Sequence, residues 1–177
     1  MTVEPRNRRH PALIASVAVI AGLVAGCSGT ARSGGTPAAD RSSRQISHWL
    51  DEATVESVAN TLHVQVPSAA TEAKAAHLQG LQDDGLIMAF LLPAGEVDGF
   101  IAQLQPEEPL SLREQPLARN TNPPTPFSHL GVPEPDLLAK VREGQVCAPC
   151  KDNLNWLKVA VVQVDGRTSR VYLSGVD

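Results

Sequence analysis

The stretch Trp156-Leu157-Lys158-Val159-Ala160-Val161-Val162-Gln163-Val164 decides the fold class of this chain. Its valine-rich composition favours a β-strand. Side chains alternate between the two faces of a strand, so one face carries Leu157, Val159 and Val161, and the other carries Ala160, Val162 and Val164. Apolar residues on both faces indicate a central strand. A second strand is predicted at 170–176, after a turn at Asp165-Gly166.

Two further strands are predicted nearer the N-terminus. The apolar run 86–92 is stopped by Pro93, and its length suits a buried strand. Residues 72–78 have weaker strand character. The segment 80–85, GLQDDG, lies between them and is rich in turn-forming residues. The sequence therefore predicts about four strands, connected closely enough to pair in antiparallel fashion.

Three segments predict helices. The apolar residues of 45–62 approximate one helical face, with Ser47 as the N-terminal cap. The apolar residues of 97–104 recur at helical spacing. A short helix is predicted at 136–143, ended by Gly144.

A proline-rich segment, residues 106–135, separates the last two helices. Its eight prolines make regular secondary structure improbable, and a loop of this length is usually functional or mobile. The complete prediction is an α+β domain at 45–177, with an antiparallel sheet of about four strands and helices packed on one face.

The charge of the chain argues against nucleic acid as a partner. The chain has 177 residues, a net charge of −4 and no basic stripe, so nucleic-acid binding has no electrostatic support. Three Phe, two Trp and one Tyr are the only aromatic residues, so small aliphatic side chains must build the core.

The N-terminus has the layout of an export signal. Arg6, Arg8 and Arg9 precede a mostly apolar stretch at 12–26, which is short for a permanent membrane span. The Arg8-Arg9 pair also raises twin-arginine export, although the following His10-Pro11 fits that pattern poorly. The choice between that route and general secretion stays open.

The end of this stretch, Leu23-Val24-Ala25-Gly26-Cys27, resembles the lipobox of bacterial lipoproteins. The resemblance implies a signal peptide at 1–26 and diacylglycerol on the Cys27 thiol. Acylation of the new N-terminus, as by palmitate, would strengthen the anchor. The polar residues that follow predict a disordered tether at 27–44. The expected location is the outer face of the cytoplasmic membrane, with the lipid on Cys27 as the membrane contact.

The segment Val146-Cys147-Ala148-Pro149-Cys150-Lys151-Asp152 resembles a thioredoxin active site over six residues. Thioredoxin-like folds place that motif before a long helix, whereas here a valine-rich strand is predicted to follow it. After lipidation of Cys27 an even pair of cysteines is left in an oxidising compartment. A local disulfide between Cys147 and Cys150 is therefore the simplest prediction, with a redox role as the alternative.

Other candidate sites carry weaker signals. The histidines show no paired spacing for a metal, so no metal site and no cofactor are predicted. Asp83-Asp84-Gly85 lacks the alternating oxygen ligands of a calcium loop and is interpreted as a solvated turn. Ser128-His129 has no nucleophile elbow and is interpreted as a polar loop pair. No catalytic residue is assigned.

Part of the chain resembles uncharacterised small actinobacterial lipoproteins. The resemblance covers about forty residues and rests on Pro67-Ser68-Ala69, Gln82-Asp83, Phe90-x-Leu92-Pro93 and Phe100. It implies no activity. The leading hypothesis is a non-enzymatic, lipid-anchored module that binds an envelope protein or peptide. The alternatives are an exported thiol-disulfide oxidoreductase using the Cys147–Cys150 pair, and an accessory subunit of a membrane complex.

Overall fold

Seven antiparallel strands form one sheet in the computed structural model, which describes residues 47–117 and 126–177. The order across the sheet is β1-β2-β3-β7-β6-β5-β4. The elements along the chain are β1 (His48–Trp49), α1 (Val55–Thr61), β2 (Thr71–Gln79), β3 (Gly85–Pro93), α2 (Val97–Leu104), β4 (Ser111–Arg113), β5 (Val141–Cys147), β6 (Trp156–Gln163) and β7 (Thr168–Val176). The antiparallel α+β class is confirmed, but the prediction of about four strands is wrong.

The centre of the sheet consists of the three most apolar strands. β7 lies between β3 and β6 and pairs with both along almost its whole length. β3 is almost completely buried, because it has a strand on each side and packed side chains on each face. β6 pairs with β7 and β5, as its two apolar faces predict. The turn predicted at Asp165-Gly166 joins β6 to β7.

Both helices pack on one face of the sheet, as predicted. Val58 of α1, Leu62 directly after α1, and Phe100 of α2 belong to one buried cluster with the even-numbered side chains of β3. Phe90 and Phe100 meet edge to face, with ring centroids 5.4 Å apart. We call this side of the sheet the helix face.

The first predicted helix is shorter than expected. His48 and Trp49 form a strand that pairs with β2, and α1 begins only at Val55. The cap is Thr54 rather than Ser47. The Thr54 Oγ1 atom accepts a hydrogen bond from the Ser57 N–H at 3.0 Å, and the Ser57 Oγ atom accepts one from the Thr54 N–H at 2.9 Å.

The helix predicted at 136–143 is wrong. A short 3-10 helix at Pro135–Leu137 is followed by β5, which pairs with the apolar strand β6. Gly144 ends no helix and lies inside β5. A Cβ atom there would be 2.7 Å from Leu110 Cδ2, so the glycine lets the preceding loop cross closely over the strand.

The proline-rich segment covers the second face of the sheet where it is described. Phe127 is buried there and meets Tyr172 of β7 edge to face, with ring centroids 5.0 Å apart. The segment contains a 3-10 helix at Phe127–Leu130 and the three-residue strand β4, so the expectation of no regular structure is wrong at these points. Residues 118–125 lie outside the described part.

Arg113 connects this segment to the sheet. Its guanidinium donates to both carboxylate oxygens of Glu143 on β5, at 2.8 and 3.1 Å. It also donates to three main-chain oxygens, those of Gln115, Pro135 and Leu138, at 2.8–3.0 Å. The hydrogen bonds to Glu143 are the main reason that the pKa of Arg113 is raised. One side chain therefore fixes both ends of the segment.

Residues 1–46 lie outside the described part of the chain; they include the predicted signal peptide at 1–26, Cys27 and the predicted tether, so the lipid anchor stays a prediction. Among residues 47–117 and 126–177, neither helix has the length and apolar character needed to cross a membrane.

Candidate functional site

A groove of about 600 Å³ opens on the helix face beside the cysteine pair. Its floor is apolar and is formed by Leu62, Phe100, Leu154 and Leu157, all of which are buried. The partly buried Leu104 lies between this floor and the rim. We call this cavity the disulfide groove. Its volume lies within the range of small-molecule and peptide-side-chain pockets.

The ends of both helices contribute the rim of the groove. His63 follows α1 with a φ of 55°, and Gln105 follows α2 with a φ of 51°. These left-handed residues reverse the chain just after each helix. Gln65, Gln103 and Gln105 are thereby exposed around the opening. The rim is rich in amide groups.

The loop between β5 and β6 forms the opposite wall. The Sγ atoms of Cys147 and Cys150 lie at disulfide distance, consistent with the predicted bond. Cys150 N–H donates to Leu154 O at 3.0 Å, which folds the loop back on itself. The exposed Lys151 and Asp152 complete the rim with opposite charges. The rim consequently has little net charge.

No helix follows Cys150. Residues 151–155 form a turn, which leads directly into β6, so neither cysteine stands at the N-terminus of a helix. The helix dipole that lowers the thiol pKa in thioredoxin-like sites has no counterpart in this part of the chain. The predicted strand after the motif is therefore confirmed.

The candidate residues in the two polar loops make hydrogen bonds and stacking contacts with neighbouring side chains. Asp83 accepts a hydrogen bond from Asn155 Nδ2 at 3.3 Å, in the turn that the sequence predicted. The His129 ring stacks on Trp49, with centroids 3.9 Å apart. The Ser128 N–H donates to Glu134 Oε1 at 2.7 Å. The predicted polar loop pair therefore supports the packing of the loop on β1.

A cluster that sequence reasoning missed lies at the edge of the helix face. His77, Asp84 and Asp177 offer ligand atoms that are all within 4.8 Å of one another. We call this cluster the polar corner. The residues come from the end of β2, the turn before β3 and the residue after β7. Only the strand pairing brings them together, so no local motif could have revealed them.

Hydrogen bonds fix the ionisation of Asp84 in the polar corner. Partial burial raises the pKa of its carboxyl group, but hydrogen bonds from Gly80 N–H and from His77, together with the electrostatic influence of His77 and His48, outweigh that effect, so the pKa is lowered. The His77 Nε2 and Asp84 Oδ2 atoms are 2.7 Å apart. Asp177 behaves in the opposite way, because burial and then the Asp84 charge raise its pKa. The corner thus brings two carboxyl groups close together.

No protein-family model, no curated protein and no solved structure matches this chain. The resemblance to small actinobacterial lipoproteins stays a prediction from the sequence. The disulfide groove and the polar corner are therefore interpreted from their own geometry and chemistry.

Proposed function

We propose that this protein is a lipid-anchored, extracytoplasmic binding module whose disulfide groove takes up an apolar segment of an envelope protein or peptide. The observation that carries the proposal is the groove itself, which has an apolar floor and an amide-rich rim. The lipobox at 23–27 supports the anchor and the export of the domain. The activity is binding, and no catalytic residue is assigned.

The chemistry of the groove favours a peptide as the ligand. Leu154 and Leu157 offer a surface for one apolar side chain, which gains about 1.5–3 kcal/mol on full burial. Gln65, Gln103 and Gln105 carry side-chain amides, each with donors and an acceptor that match the N–H and C=O groups of an extended main chain. The balanced charge of the rim gives no preference for acidic or basic ligands.

Peptide binding by the purified protein tests the groove. Fluorescence polarisation would compare labelled peptides that are identical except for one central leucine or serine. The leucine peptide should bind about tenfold more tightly or better, as expected for burying one apolar side chain. Leu104→Lys places a charge in the groove and should abolish that preference. Leu112→Lys is the matched control, because Leu112 is 55% exposed on β4.

The peptide experiment has a clear negative outcome. If the wild-type protein binds leucine and serine peptides equally, or if Leu112→Lys and Leu104→Lys lose affinity equally, the groove is not the binding site.

The lipid anchor is tested in a separate experiment. Cys27→Ser should release the protein from the membrane fraction, and the wild-type chain should gain the mass of a diacylglycerol. A Cys27→Ser variant that stays membrane-bound without a lipid would contradict the anchor.

A second candidate function is an exported thiol-disulfide oxidoreductase, with Cys147 as nucleophile and Cys150 as resolving thiol. The observation that favours it is the position of both cysteines in the groove wall, next to the proposed peptide path. The reduction potential separates the candidates. A value below about −300 mV is typical of a structural disulfide, whereas about −120 to −230 mV is typical of catalytic pairs. The turn after Cys150 leads us to expect the lower value.

A further inference from the structure

The polar corner joins three neighbouring strands at one end of the sheet. Asp84 and Asp177 exchange main-chain hydrogen bonds of 3.2 and 3.1 Å, which extend the pairing of β3 with β7 by one step. His77 lies on β2, opposite Leu86. All three side chains project on the helix face. Their main chains are fixed by the sheet, so the ligand atoms start from a preorganised arrangement.

We propose that His77, Asp84 and Asp177 bind a divalent transition-metal ion, with Zn²⁺ as the best match. One imidazole nitrogen and two carboxylate oxygens are a donor set that zinc accepts. Ligands at about 2.1 Å around a tetrahedral zinc ion are about 3.4 Å apart. The three ligand atoms lie within 4.8 Å of one another, so small side-chain adjustments would bring them to the spacing of a tetrahedral zinc site.

The surroundings of the corner supply a fourth ligand position. His48 pairs with Gln79, which shares a face of β2 with His77, so His48 projects on the helix face too. It is exposed and lies close enough for its charge to influence Asp84. Either His48 or water completes a tetrahedron. The imidazole nitrogen favours zinc over Mg²⁺ and Ca²⁺, which prefer oxygen ligands only.

The opposing interpretation is that the corner only pins the strands together through the His77–Asp84 hydrogen bond. That interpretation accounts for two of the three groups. It does not explain why the Asp177 carboxyl group also lies within 4.8 Å of the ligand atoms of His77 and Asp84. A bound cation would use all three groups and would cross-link the ends of β2, β3 and β7. The proposal is independent of the disulfide groove, which other residues line.

Metal titration of the full chain tests the proposal. The protein is stripped with a chelator and titrated with ZnCl₂ at neutral pH by calorimetry. We expect one zinc ion per chain, and at least about tenfold weaker binding in His77→Gln and in Asp177→Asn. His63→Gln is the matched control, since His63 is a histidine of the same fold that lies outside the corner, near Asp152 at 4.0 Å.

Two further measurements distinguish the loss of zinc binding from misfolding of a variant. Zinc should raise the melting temperature of the wild-type protein and of His63→Gln, but not that of His77→Gln. Co²⁺ in place of zinc should give the visible absorption of a tetrahedral site in the wild-type protein and in His63→Gln, but not in His77→Gln. Zinc binding that is undetectable, or that is equally tight in Asp177→Asn, His77→Gln and His63→Gln, would overturn the proposal.

Discussion

Replacement of Arg113 is the most informative perturbation of the fold. Its side chain is 12% exposed and donates five hydrogen bonds, two of them to Glu143. Removing one partner of a buried ion pair costs about 3–5 kcal/mol. Glu143 keeps 31% of its side-chain exposure, and water can therefore replace part of the lost interaction. We expect Arg113→Ala to lower the free energy of unfolding by about 3 kcal/mol.

Arg113→Lys refines this prediction. Lysine keeps the positive charge but lacks the planar fork that contacts Glu143 and the main-chain oxygens together. The expected loss is about 1–2 kcal/mol. Arg142→Ala is the matched control, because Arg142 is also on β5 but pairs with an Asp98 side chain that is 81% exposed. That substitution should cost less than about 1 kcal/mol.

Urea unfolding at neutral pH measures these differences, with the m-value checked for a constant extent of unfolding. Hydrogen exchange provides the local readout. Amides of residues 126–138 should lose protection in Arg113→Ala before those of β3 and β7 do. If Arg113→Ala is no less stable than Arg142→Ala, and residues 126–138 stay protected, then Arg113 does not connect the proline-rich segment to the sheet.

Three more predictions concern the core. Gly175→Ala should cost about 1–3 kcal/mol in urea unfolding, because its Cβ atom would be 2.5 Å from a buried leucine, whereas Gly166→Ala, with open space around it, should be nearly neutral. Phe127→Ala should cost about 3 kcal/mol in the same assay, since it empties a buried aromatic site. Burial raises the pKa of Tyr172. The free energy of unfolding should therefore be highest below about pH 10 and should decrease at higher pH, as the hydroxyl ionises more easily in the unfolded chain. Tyr172→Phe should reduce this decrease at alkaline pH.

The outcome of each core prediction can contradict its reasoning. Equal stability of Gly175→Ala and Gly166→Ala would mean that the strand relaxes freely around the new methyl group. A neutral Phe127→Ala would mean that the proline-rich segment contributes little to the packing on the second face of the sheet. Identical alkaline declines with and without the Tyr172 hydroxyl would exclude that group as their cause.

The elements with strong periodicity could be predicted from the sequence. β3, β6 and β7 follow from apolar runs, and α2 follows from apolar residues at helical spacing. β5 could not be predicted, because Arg-Glu-Gly-Gln in its middle has low strand propensity and gains its conformation from pairing with β6. The helix that contains α1 was predicted to begin too early, although the capping pair Thr54 and Ser57 is a local signal that could have located its start.

The candidate sites also differ in whether they are formed by residues close together or far apart in the sequence. The cysteine pair could be predicted by counting thiols and by its short spacing. The disulfide groove could not, since its residues come from both helix ends, two strands and the loop between them. The polar corner depends on strand register alone. Such sites can be recognised only when the pairing of the strands is known, because their residues are separated in the sequence.

The outer edge of β2 has a consequence for self-association of the domain at high concentration. Within the described residues, only His48 and Trp49 form a strand beside β2, so most of its length has no strand neighbour on that side. A bulge interrupts the strand between Thr71 and Lys74, with Glu72 at a φ of 50°. Bulges and charged side chains prevent another chain from adding a strand. Many copies of this domain could therefore be packed closely together without polymerising edge to edge.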